Sequence, residues 1–76
     1  MFVIAVVVKE GAHRFIDGED RELNIGYELR IDDVNSVWVK ENHITQVNTF
    51  DDSYWTFDTE CWRLSVVSER DPLFDD

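Results

Sequence analysis

This sequence predicts a mainly β fold: a small antiparallel meander, strongly bent or closed into a partly open barrel, with about five to six short strands. Three observations carry the prediction. Apolar and polar residues alternate with a period of two, as in Ile25, Tyr27, Leu29 and Ile31 against Gly26, Glu28, Arg30 and Asp32. β-Branched and aromatic residues recur along the whole chain, and they suit a pleated, half-buried surface. Turn residues punctuate the chain at intervals of about 8–12 residues.

The elements follow in order. Residues 2–8 are an unbroken apolar run, too short for a membrane helix of about 20 residues. No basic stretch precedes the run and no small-residue cleavage site follows it, so it reads as a buried strand and not a signal peptide. If the chain is an assembly module, this run is the expected open sheet edge, since it carries no charge or proline before Lys9. Residues 12–16 are expected to pair back onto it across Glu10 and Gly11. Asp17-Gly18 is a turn dipeptide. Residues 19–23 leave room for one short helical turn. Residues 25–31 form a strand, because Gly26 would cost a helix about 1 kcal/mol relative to Ala. Residues 32–36 are a polar turn, 37–40 a short strand and 41–43 a tight connection. Strands at 44–50 and 54–58 flank a turn at 51–53, and a turn at 59–60 precedes the last strand at 61–67. Residues 1–67 are expected to form one domain, and residues 68–76, with the only proline, Pro72, a flexible acidic tail.

Composition narrows the functions. The 76 residues hold 17 Asp and Glu against 7 Lys and Arg, a formal net charge of −10. That charge argues against direct nucleic-acid binding, which needs cations to neutralise phosphates, and against anionic membranes. A hydrophobic content of 43% with 13% aromatics argues against a disordered acidic segment. The single Cys61 cannot form an internal disulfide and suits a reducing cytoplasm.

Catalysis and metal binding find little support. Cys61 could be written into a triad with His13 or His43 and a carboxylate, but no local signature accompanies it. It reads as a small, partly buried hydrophobe, and the chain is not expected to be an enzyme. Residues 17–22 are rich in hard oxygen ligands but lack the calcium-loop pattern. The two His and the Cys are too far apart in sequence to support zinc. No cofactor or metal is expected.

The aromatic and acidic residues are more informative. Trp38, Tyr54, Trp55, Phe57 and Trp62 cluster in the C-terminal half. A thin domain cannot bury both faces of every strand. Phe57 and Trp62 read as core, and Trp38, Tyr54 and Trp55 as anchors for a partner. Asp17, Glu19, Asp20 and Glu22 form one acidic group, and the doublets Asp32-Asp33 and Asp51-Asp52 occupy turns. Strand carboxylates two residues apart lie about 7 Å apart on one face, so a folded surface can present a row of charge to a protein that grips phosphates.

In size and charge the chain resembles small acidic phage proteins that inhibit host restriction, CRISPR or other DNA-handling enzymes. The stretch 37–67, with a strand, a short link, Ile44-x-x-Val47 and a hairpin, is similar in spacing to small sheet modules of bacterial and phage proteins. The first resemblance implies a cytoplasmic inhibitor, in the host cytoplasm if phage-encoded, that docks on a basic nucleic-acid-binding surface of a larger protein. Two other readings stand beside it. Net charge can serve solubility alone. The chain can also be an assembly module that forms a homodimer through an open sheet edge and its aromatic patch.

Overall fold

The structure, a computed structural model, describes residues 1–68. Over that stretch the chain has eight strands and no helix: β1 (Phe2–Val7), β2 (His13–Ile16), β3 (Glu19–Glu22), β4 (Glu28–Ile31), β5 (Val34–Glu41), β6 (Ile44–Thr49), β7 (Tyr54–Asp58) and β8 (Trp62–Val67). They build three small antiparallel sheets, ordered β4-β1-β8, β2-β3 and β5-β6-β7, and the sheets do not close into a barrel. The mainly β class is therefore as expected, with more strands than expected. The tail expected from residue 68 lies, beyond Ser68, outside the described residues.

Five expectations need correction. The first strand is buried, as expected, and is not the open edge that the assembly reading needs. β1 is the central strand of its sheet, with Val3 opposite Ile31 on one side and Val66 on the other. Its apolar run reflects burial: Val3, Ala5 and Val7 are fully buried, and Phe2, Ile4 and Val6 are half-covered. A run that is apolar on both faces marks a strand covered on both faces.

Residues 12–16 do not pair back onto β1, and residues 19–23 do not turn into a helix. Asp17 and Gly18 both adopt positive φ, 52° and 81°. Two such residues match the right-handed twist of flanking strands and favour a two-residue hairpin. Ile16 therefore sits opposite Glu19 and His13 opposite Glu22, and the four exposed residues of β3 run straight. The strand expected from residue 25 begins at Glu28, because Gly26 takes φ 96° and donates its N–H to the Val7 carbonyl at 2.8 Å.

The β4–β5 connection is tighter than the five-residue turn expected. Asp33, at φ 55°, turns the corner alone with Asp32. Val34 then donates its N–H to the Met1 carbonyl at 2.9 Å and starts β5, so the chain passes directly from one sheet to the next.

Aromatic rings join the two three-stranded sheets. Buried Phe57 on β7 meets buried Trp62 on β8 edge-on at 5.1 Å, and Trp62 meets Tyr27 edge-on at 6.4 Å. Trp55 stacks beside Phe57 at 6.4 Å. Such pairs add about 0.5–1.5 kcal/mol each beyond the area they bury. With Ala12, Leu23, Ile31, Val34 and Val47 they complete one core.

Candidate functional site

Two turns from different sheets meet at one end of the molecule. One is the Asp32-Asp33 corner between β4 and β5, and the other is the β6–β7 turn from Phe50 to Ser53. Phe50 donates its backbone N–H to the Asp33 carbonyl at 3.0 Å, which ties the turns together. Between them lies an open groove of about 710 Å³, within the range of ligand clefts, about 300–1,000 Å³. Asp32, Asp33 and Asp51 give it charge, and Phe50, Tyr54 and Trp55 give it aromatic surface.

The β6–β7 turn is braced from within. The Thr49 hydroxyl donates to Asp51 Oδ1, and the Ser53 N–H donates to the same oxygen at 3.1 Å. Thr49 also donates its N–H to the Ser53 carbonyl at 3.0 Å. The Thr49 hydroxyl first, then the Ser53 backbone, hold the Asp51 carboxyl below its ordinary value of 3.8, because both donors favour the ionised form. Asp52 takes φ 67° beside it.

Charge in the groove is one-sided. Arg30 lines it, but that guanidinium is committed: its Nε donates to Asp32 Oδ1 at 2.8 Å, and its central carbon lies over the Phe2 ring, 3.8 Å from the ring centre. Among the described residues, Asp33, Asp51 and Asp52 have no cationic partner within ion-pair distance.

The eleven residues singled out from the sequence thus fall into separate places. Asp32, Asp33, Asp51, Tyr54 and Trp55 line the groove, with Asp52 in its turn. Asp17, Glu19, Asp20 and Glu22 lie on the β2–β3 hairpin, in a different sheet. There Glu19 pairs with Arg21 at 3.2 Å, and Asp20 lies 3.6 Å from His13. Trp38 stands apart on β5, 45% exposed. It shares a face with Gln46, Asn48 and Tyr54, where Gln46 donates to Asn48 at 2.8 Å and Asn48 to Ser36 at 3.2 Å. Trp55 points to the opposite face, with the guanidinium of Arg14 lying 5.4 Å from its ring centre.

Two exposed rings went unmarked in the sequence. Phe50, 70% exposed, sits in the groove, and Phe15, 71% exposed, sits on β2. The signal for Phe50 was its parity: four residues past Gln46 and two past Asn48, just beyond the end of β6, it continues their polar face and not the face of Thr45 and Val47. Phe15 likewise alternates with His13, opposite Asp20.

Among the described residues, one group able to ligate a metal comes together that the sequence did not single out. His43, Asp58 and Glu60 each offer a donor atom within 4.8 Å of the others. The pairing of Ile44 with Asp58 brings them together, and Thr59 donates its N–H and hydroxyl to the His43 carbonyl at 2.7 and 3.1 Å. His43 Nδ1 lies 3.9 Å from Glu60 Oε1, an ion pair when the imidazole is protonated. Cys61 packs half-buried against the core, its thiol 3.7 Å from the Glu10 carbonyl. It shares a small cleft with His13. No helix among the described residues is long and apolar enough to cross a membrane.

No protein-family model, no curated protein and no solved structure matches this chain.

Proposed function

We propose that the chain is a small acidic binding protein that inhibits a larger protein by occupying its basic nucleic-acid-binding surface, in the manner of a phage anti-defence protein that imitates DNA charge. The observation that carries this reading is the groove, where carboxylates without cationic partners stand beside exposed rings. Charge of one sign steers a basic partner and speeds encounter. Desolvated aromatic anchors at the centre of a contact supply most of the affinity. Neither the acidic hairpin nor the groove suits phosphate, so the partner is a protein and not the nucleic acid itself.

Capture of partners from a host lysate, with binding repeated across a salt series, tests this. A nucleic-acid-handling protein as the dominant partner, released as salt rises, supports it. Binding that ignores salt, or that survives neutralisation of Asp33 and Asp51, overturns it.

A second reading is favoured by β5. It is the longest strand and an outer strand of its sheet, and it exposes Trp38 on one face and Val39 on the other. Free strand edges pair readily with a second chain, so a homodimer through β5 is the alternative. The register shifts at Val34/Ser36 and Val39/Glu41 leave only its middle regular.

A further inference from the structure

We propose that His43, Asp58 and Glu60 form a site for one divalent transition-metal ion of the zinc type, held where the β5–β6 and β7–β8 turns meet. The site stands apart from the groove and does not depend on the partner proposed above.

Geometry carries the inference. The three residues come from two turns distant in sequence, and each offers a ligand atom within 4.8 Å of the other two. The His43 Nδ1 lies 3.9 Å from Glu60 Oε1. Ligand atoms about 2.0–2.2 Å from a tetrahedral ion lie about 3.4 Å from one another. Seating an ion therefore requires the atoms to close by at most about 1.4 Å. The exposed His43 and Glu60 side chains are free to rotate by that much. The backbone beneath them is already tied. Ile44 stands opposite Asp58 in the ladder, and Thr59 donates its N–H and hydroxyl to the His43 carbonyl. Glu60 donates its N–H to Asp58 Oδ1 at 2.9 Å. Binding then orders side chains and not loops, which lowers its entropic cost.

Donor chemistry selects the ion. Carboxylates alone suit any divalent cation, and the imidazole is what discriminates. A nitrogen ligand beside two carboxylate oxygens suits zinc and its transition-metal neighbours. Calcium and magnesium take oxygen throughout, and calcium needs about six to eight such ligands. Two carboxylates and a neutral imidazole also balance the charge of a divalent ion. Three protein ligands leave a fourth position open, as in catalytic zinc sites. Asp58 also lines the small cleft of about 270 Å³, which leaves room for water on that side.

The test titrates the full chain, isotope-labelled, with zinc chloride and follows it by NMR and calorimetry. Calcium chloride and magnesium chloride serve as comparisons. The expected result is one ion per chain, with the His43 imidazole signals and the amides of residues 43 and 58–60 shifting first. Calcium and magnesium should bind about tenfold or more weakly than zinc. His43→Ala and Glu60→Gln should each weaken zinc about tenfold or more. Both substitutions fall on exposed turns, and the amide spectrum of each variant without zinc shows that it is folded. Binding should weaken as pH falls, because protons compete for the same nitrogen and oxygen atoms. A thiolate is the other strong zinc ligand in the chain, so Cys61→Ser is the control and should bind as the parent does. Zinc binding retained by His43→Ala, or calcium bound as tightly as zinc, overturns the proposal. Loss of binding in Cys61→Ser, or first shifts on the β2–β3 hairpin at His13 and Asp20, places the ion elsewhere and overturns it equally.

Discussion

Asp17, Asp33 and Asp52 are the non-glycine residues with positive φ among the described residues, and all three belong to the acidic set. Their charge and their backbone role are therefore entangled. Asparagine adopts this conformation as readily as aspartate, so a turn needing only geometry would have no use for the charge. Asp33→Asn is expected to leave stability within about 0.5 kcal/mol of the parent, measured by urea unfolding, and to affect binding alone. Gly18→Ala should cost about 1 kcal/mol by the same measurement. A Cβ at Gly18 meets nothing within 4 Å, so the penalty lies wholly in its φ of 81°. Asp51 sets a pH dependence. Its lowered carboxyl value contributes stability that is present above the ordinary value of 3.8 and is lost as pH falls below it toward the folded-state value. Relief of repulsion among other carboxylates acts over the same range, so the contribution is read as a difference. The stability gap between the parent and Asp51→Asn should be largest at neutral pH and should shrink below 3.8. The Asp17-Gly18 turn was legible in the sequence, because its chemistry is local. The corner role of Asp33 was not, since an Asp-Asp pair looks the same in a broad polar turn.

Among the elements, alternation proved a good guide wherever one face is buried. Trp55 and Phe57 point inward and Tyr54 and Thr56 outward, as the period of two requires. It failed at Ile25 and Val66, both exposed. Ile25 lies in the turn before β4, outside any strand, and Val66 is next to last on β8, an outer strand of its sheet. Sheet partners were the less legible part. β1 pairs with β4 and β8, more than 20 residues away, and nothing in a local pattern specifies so distant a neighbour. Phe57→Ala should cost about 3–5 kcal/mol, a large part of the stability of a domain this size, about 0.05–0.15 kcal/mol per residue. Phe50→Ser, in the exposed groove, should cost less than about 0.5 kcal/mol. Thermal unfolding of the two variants separates a core ring from a binding ring. For β5, sedimentation at micromolar concentration distinguishes monomer from dimer. If the chain dimerises through that edge, Val39→Lys should return it to monomer.

Across the whole molecule, the net charge of −10 is distributed and not pooled. The sequence singled out eleven residues without placing them on one face. The structure divides them between a hairpin whose Glu19 and Asp20 lie beside Arg21 and His13, a groove whose Asp33 and Asp51 have no such partner, and a single Trp on a separate strand. That division could not be read from spacing, because it depends on which turns of different sheets meet. It concentrates the proposed contact on a few residues and makes the central claim sharp. The most direct test is a displacement experiment: the nucleic-acid-binding protein captured from a host lysate is loaded with labelled DNA, and the full chain is added over a salt series. The chain is expected to release the DNA, to do so less well as salt rises, and to lose the effect when Asp33→Asn, Asp51→Asn and Tyr54→Ala are combined. DNA that stays bound, or that is released equally by the combined variant, would contradict the account.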